Sequence, residues 1–405
     1  MIERYTAYFH LRAVAGQGAL AGVLVLNEYV LRKQLDATRW QILLLLLVPA
    51  ALPLVTVVWN PASGSGPFGR RPFRTLGMGV HALLLLPLLT GGDWPAWGFV
   101  LLLVVVLVAQ MLLVPIQNTV IARNYGDVRR GRFFGRAVGV QSLFIIAVSV
   151  PVGLWLDHDP SAWPWAYAFG SLAGMFAYRQ WGRLRRRRAM TPPADLEQHP
   201  SAWQALRRDR TFLAFEGCFM IYGLGFLALQ PVLPIFLVDE VGVSYADVGL
   251  ARGAVFWTVM VLASPMLGFL GDRIGILRLG ALGFLCLGAF PVTLWLLPDR
   301  VGLFAGFAVY GLAMSAVNVV WNLGPITMAR GRDPVPYLNA HLAAVGARAL
   351  IGMPAGTVLQ ASLGTTSVFL GVAGLQVVAA ISMLWLAVAT GRRWLPTTTP
   401  TEPTP

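Results

Sequence analysis

Charge, cysteine and long polar segments are all scarce in this chain. Only 12% of its 405 residues are charged and only 18 are acidic, against 57% hydrophobic residues and a mean hydropathy of +0.66. A soluble protein of this length needs more polar side chains to cover its surface, so the apolar surplus is expected to face lipid. Its two cysteines, Cys218 and Cys286, both fall inside apolar stretches and read as small fillers, which leaves no redox site or disulfide framework. The loops carry no Ser/His/Asp set, paired carboxylates, phosphate-binding glycine loop or metal-ligand cluster, and are too short for an ATPase domain. That argues against an enzyme and a primary pump; no cofactor and no metal is expected. Met1 to Phe9 is short and polar, with no small-residue cleavage site after a brief apolar core, so the first span is expected to stay as a helix.

What is present is twelve apolar stretches, near 10–33, 38–59, 74–90, 96–121, 137–156, 163–182, 213–238, 245–269, 279–297, 301–328, 337–361 and 366–390. A hydrocarbon core of roughly 30 Å takes about 20 helical residues, so each can cross a bilayer. Arginines gather in every second gap, among them Arg129, Arg130, Arg185 to Arg188, Arg207, Arg208, Arg273, Arg278, Arg330 and Arg332. The intervening gaps hold mainly Asp93, Asp157, Asp159, Asp239, Glu240 and Asp299, with Arg32, Lys33 and Arg39 running against the pattern. This positive-inside distribution accounts for the net charge of +13 without nucleic acid, and it places both termini in the cytoplasm of a protein of the cell membrane.

The expected fold is an all-α integral membrane protein with twelve transmembrane helices in two pseudo-symmetric six-helix bundles. Residues 1–182 and 213–391 form the bundles, 183–212 a basic cytoplasmic linker and 392–405 a Thr/Pro-rich tail. Ser201 to Gln204 has capping-box spacing, so a short helix follows it, as a membrane-surface element or a plain tether. The halves echo each other: Thr38-x-x-Gln41 and Ser244-x-x-Asp247 open spans 2 and 8, Val114-Pro115-Ile116 matches Gly324-Pro325-Ile326, and Leu26-Asn27 matches Leu229-Gln230.

Between spans 8 and 9 the sequence reads Gly268-Phe269-Leu270-Gly271-Asp272-Arg273-Ile274-Gly275, then Arg278. It resembles the Gly-x-Leu-Ala-Asp-Arg-x-Gly-Arg motif of the major facilitator superfamily. The resemblance implies a twelve-helix secondary transporter in which this loop latches one conformation, with Gly268, Asp272, Arg273 and Gly275 as gating residues. The first-half counterpart, Gly66-Pro67-Phe68-Gly69-Arg70-Arg71, keeps the terminal Gly-Arg-Arg but lacks the Asp-Arg pair. Arg129-Arg130-Gly131-Arg132 resembles another turn of the superfamily.

Ionisable groups inside spans are costly and mark function by default. Arg12 and Glu28 lie in span 1, Glu216 in span 7, Arg252 in span 8, Arg348 in span 11, with His81 and His341 besides. Depth puts Arg12 near Glu216 and Glu28 near Arg252, so an inner and an outer charge pair bridging the halves is one reading and snorkelling to the interface the other. Glu28, Glu216 and His81 are the coupling candidates should protons drive the cycle, with Glu28 first. Spans 1, 4, 7 and 10 line the cavity in the family this chain resembles. Asn27, Gln110, Gln117, Asn118, Tyr222, Gln230, Asn318, Trp321 and Asn322 are accordingly the candidate lining, with amide bonding between packed helices as the competitor. Arg348 is a candidate for a solute anion or for a backbone carbonyl. The expected activity is transport of a small solute by alternating access, in a functional monomer whose partners are the solute, the bilayer and candidate coupling protons; the alternative is a non-transporting receptor, assembly factor or scaffold of the same fold.

Orientation is open to a direct check. With Cys218 and Cys286 replaced by serine, a cysteine at 198 should resist an impermeant thiol reagent in intact cells, and one at 159 should react. Labelling at 198 would invert the topology.

Overall fold

The computed structural model describes residues 2–58, 72–125, 127–184 and 202–391, and every regular element among them is helical. Gly66 to Arg71, Arg185 to Arg188, Ser201, Arg392 and Arg393 lie outside the described residues, as do the side chains of Arg129, Arg130 and Arg132. The first half comprises α1 (Glu3–Gln34), α2 (Arg39–Val58), α3 (Phe73–Leu89), α4 (Ala96–Asn124), α5 (Asp127–His158) and α6 (Trp163–Trp181). A short α7 (Ala202–Arg208) follows, in the linker. The second half comprises α8 (Arg210–Glu240), α9 (Tyr245–Ile274), α10 (Ile276–Leu296), α11 (Arg300–Ala329) and α12 (Val335–Ala389). At Gly364, where φ is +80°, the 55-residue α12 turns into a second limb, so the last two apolar stretches are one helix with a break.

By length and composition, eight of the described helices can cross a membrane, and α2 and α3 contribute two shorter apolar helices. This is an integral membrane protein. Several helices outrun their apolar stretches: α1 begins before residue 10, α5 at Asp127 rather than near 137, and α8 at Arg210. Hydropathy marks only the residues within hydrocarbon, whereas the backbone keeps its helical bonds through the polar interface.

The helix starts follow from local chemistry. The Thr38 backbone N–H donates to Gln41 Oε1 at 2.7 Å before α2. The Ser244 hydroxyl accepts from the Asp247 N–H at 3.0 Å before α9. These reciprocal caps satisfy donors that the first turn leaves open. Asp209 caps α8, accepting from the N–H groups of Thr211 and Phe212, and also holds Arg332 and the Tyr337 hydroxyl.

The packing repeats across the halves. The second helix of the first half, α2, lies on the first limb of α12, with Gly346 pressed against Ala51 and Leu54. Its counterpart α9 lies on α5, where Gly153 meets the backbone of Tyr245 and Ala246. One apolar cluster, including Tyr29, Val152, Phe236 and Tyr245, joins the halves; others, around Phe219 and Phe284 and around Ile116 and Trp181, belong to one half each.

Burial alone would raise the Asp209 carboxyl, but the Phe212 N–H and Arg332 outweigh it and hold its pKa below the usual value. A depressed folded pKa stabilises the protein above the unfolded value and loses that stability as pH falls through the folded value. Asp209→Ala should cost about 0.5–2 kcal/mol at neutral pH. Thermal unfolding should show the gap between wild type and Asp209→Asn closing as pH drops toward about 3; a gap independent of pH would contradict this.

Candidate functional site

A pocket of about 280 Å³ lies in the first half, between α1, α4, α5 and α6. Its lining follows helical spacing. His10, Val14, Gln17 and Ala21 form one stripe on α1; Gln110, Val114, Gln117, Asn118 and Ile121 form another on α4. Phe134, Ala137, Val138 and Gln141 face it from α5, and Tyr178 and Trp181 from α6. Of the residues expected to line a cavity, Gln110, Gln117 and Asn118 do so. His10, Gln17, Gln141, Tyr178 and Trp181 escaped sequence reasoning. The seven-residue interval from His10 to Gln17, repeated from Gln110 to Gln117, was the available signal.

Several lining groups are held in place. The Trp181 indole donates to Gln17 Oε1 at 3.2 Å, and His10 Nδ1 lies 3.0 Å from the Tyr125 hydroxyl. His81, fully buried behind the pocket, has Nδ1 2.5 Å from the Gly77 carbonyl and Nε2 3.1 Å from Gln110 Nε2. These partners assign Nδ1–H as donor to Gly77 and Nε2 as acceptor from Gln110, so both ring nitrogens of the neutral imidazole are occupied.

The remaining candidates lie elsewhere. Asn27 accepts the Tyr167 hydroxyl at 2.8 Å, and Gln230 bonds the Phe226 carbonyl of its own helix at 3.4 Å. Tyr222 stacks on Phe284, Asn318 rests on Met260 Sδ at 3.7 Å, Asn322 bonds the Asn318 carbonyl, and Trp321 packs on the His341 ring. Tyr222, Gln230, Asn318, Trp321 and Asn322, on α8 and α11, are not in the lining of this pocket.

Two charge pairs join the halves. Arg252 donates to both oxygens of Glu28, at 3.0 and 3.3 Å, across the halves. Arg32 and Asp239 make a second two-bonded pair, Lys33 donates to the Val243 carbonyl at 2.5 Å, and Asp157 accepts from the Tyr245 and Ala246 N–H groups at 2.7 and 2.8 Å. The hydrogen bonds and ion pairs that Arg32, Lys33, Gln34, Ser149, Asp157 and Arg252 make between the halves all lie on this side of the molecule, away from the linker.

The inner pair does not form. Arg12 is exposed over the Tyr8 ring, while Glu216 turns into its own half and meets His341 Nδ1 at 2.8 Å. Exposed Arg12 is solvated at no cost, whereas a buried carboxylate must find a partner. Glu216 Oε2 and His341 Nε2 have no hydrogen-bond partner, and Phe215, Phe219 and Trp321 surround the imidazole. In the Asp272 loop, Gly275 supplies the φ of +89° that turns α9 into α10. Asp272 and Arg273 are exposed, Arg273 lying over the Phe269 ring, and space at Gly268 is open.

Arg348 is 2% exposed and lies outside the pocket lining. Its Nη1 donates to the Phe219 carbonyl at 2.7 Å and its Nε to the Ala344 carbonyl at 3.1 Å. The stem lies against Gly223, where a Cβ would sit 2.3 Å from Arg348 Cδ, so only glycine admits it.

Residues 216–405 match the family model described as Major Facilitator Superfamily. No curated protein matches the chain. Among solved structures, a bacterial homologue of the human lysosomal transporter Spinster, inward-facing and unoccupied, is 15% identical over 96% of each chain, with a TM-score of 0.62. A mutant of the nucleoside transporter NupG is 14% identical over 95% of this chain and 100% of its own, with a TM-score of 0.67. A POT family transporter in complex with a thioalcohol-conjugated peptide is 12% identical over 96% of each, with a TM-score of 0.70.

Arg348→Ala should cost about 2–5 kcal/mol, in the range of other large-to-alanine changes in cores, by opening a cavity and removing the bonds to the Phe219 and Ala344 carbonyls. Thermal unfolding in detergent reads this; an unchanged midpoint would return Arg348 to the solute-binding reading.

Proposed function

We propose that the chain is a major facilitator superfamily member, a secondary transporter that moves a small solute by alternating access through twelve membrane crossings; the match of residues 216–405 to the family model supports this. One arrangement carries the reading: the bonds that Arg32, Lys33, Asp157 and Arg252 make between the halves cluster at the end remote from the linker. With the linker and both termini cytoplasmic, this conformation is sealed outside and open inside. Switching requires the Glu28–Arg252 and Arg32–Asp239 pairs to part and the linker-side ends to close, with the exposed Asp272 and Arg273 as the latch of the closed end. Swapped packing of α2 on α12 and α9 on α5 supports a rocking motion, because it gives the halves a common pseudo-two-fold interface.

Proton coupling, in this reading, runs through Glu216 and His341 rather than Glu28, which is committed to Arg252. Arg348 lies within electrostatic reach of Glu216 and balances its charge. With Glu216 ionised and accepting from Nδ1–H, the bare Nε2 of His341 is the atom left to take a proton. Protonation turns a neutral Arg–Glu–His cluster into one of charge +1, with Glu216 and three aromatic rings facing the imidazolium. In low dielectric that change is costly enough to bias one conformation over the other.

The reading is tested in proteoliposomes with a solute found by thermal-shift screening. In a background without Cys218 and Cys286, cross-linking cysteines placed at 33 and 243 with a short bis-thiol reagent should abolish flux, and cleaving the linker should restore it. Undiminished flux in the cross-linked protein would overturn alternating access. Glu216→Gln and His341→Gln should lose accumulation driven by a pH gradient while keeping solute exchange; gradient-driven accumulation in both would remove the pair from coupling.

A further inference from the structure

We propose that the pocket between α1, α4, α5 and α6 binds an uncharged, polyhydroxylated solute of monosaccharide or nucleoside size. The inference rests on the transporter reading for the solute's fate, but not for its binding. Among the described residues, no Asp, Glu, Lys or Arg lines the pocket, so a carboxylate, phosphate or ammonium entering it would meet no countercharge from them. Buried Arg348 offers none, because its guanidinium is spent on carbonyls of the other half.

What the wall offers instead is carboxamide. Gln17, Gln110, Gln117, Asn118 and Gln141 converge from three helices, and each carries a donor and an acceptor, the combination that pairs with a hydroxyl. Bonds fix two of them: Gln17 accepts from Trp181 and has its amino group toward the Tyr178 hydroxyl, while Gln110, bonded to His81 through its nitrogen, presents its carbonyl. Gln117 is nine-tenths buried; although it lies against the Tyr178 hydroxyl, its Nε2 finds no acceptor with hydrogen-bond geometry. A buried donor in that condition is unfavourable, and a solute oxygen would satisfy it. Among the amides, Val14, Val114 and Phe134 add apolar lining, and Tyr178 and Trp181 add aromatic lining of the kind that packs against the C–H groups of a sugar or against a base. The volume of about 280 Å³ is at the lower edge of the roughly 300–1,000 Å³ range of drug-sized sites, which fits one ring or two and not a peptide or lipid.

The test is equilibrium binding to the full chain in nanodiscs, by calorimetry, with D-glucose, uridine, glucose 6-phosphate and uridine monophosphate. At least one neutral probe should bind with a Kd of about 1 mM or tighter, and its phosphorylated form about tenfold more weakly or less. The better neutral probe distinguishes a sugar site from a nucleoside site. Gln117→Leu and Gln141→Leu, each with its unfolding midpoint checked, should weaken that probe about tenfold. Equal or tighter binding of a phosphorylated form, no binding of either neutral probe at about 10 mM, or unchanged affinity in both well-folded variants would overturn the assignment. A neutral probe that binds but never crosses a proteoliposome membrane leaves the site standing and removes the transporter reading. Flux confined to charged solutes does the reverse.

Discussion

Hydrocarbon supplies no hydrogen bonds, so every polar group placed inside this protein must find its partner within the protein or beside a cavity. Three outcomes result. Glu28 meets its partner across the halves, at Arg252. Glu216 and Arg348 find theirs within one half, in His341 and in the Phe219 and Ala344 carbonyls. Gln117 keeps an open donor where four helices leave a pocket. The first outcome joins the halves, the second stiffens one of them, and the third leaves binding capacity unspent.

The bonds between the halves are numerous but individually modest. Arg32 and Asp239 are partly exposed, and such pairs contribute about 0–1 kcal/mol each. Even the deeper Glu28–Arg252 pair balances Coulomb attraction against desolvation. The small-residue contacts at Gly153 and Gly346 bring backbones close without locking large side chains together. The apolar cluster that includes Tyr29, Val152, Phe236 and Tyr245 crosses the same interface, so hydrophobic burial holds the halves together alongside the polar bonds.

Helix positions, the caps at Thr38 and Ser244, and the arginine-rich gaps were legible in the sequence because each depends on residues within one helix or one turn. The same locality let Gln110, Gln117 and Asn118 be picked out as one face of α4. Partner choice is of another kind. Arg252 is 224 residues from Glu28, and His341 is 125 from Glu216; depth alone matched the first pair and mismatched Glu216 with Arg12. Depth is one coordinate, and rotation about the helix axis, fixed by packing, decides which face of Glu216's helix meets which neighbour. Arg348 illustrates the same point, since mid-span charge was evident from the sequence but its burial against Gly223 was not. The sequence by itself determined that this chain is a bundle of membrane helices in two related halves, because hydrophobicity, caps and charge are properties of local stretches. Only the tertiary structure decided which polar groups are consumed by one another and which remain open to a solute, because that depends on how helices far apart in the chain turn toward each other.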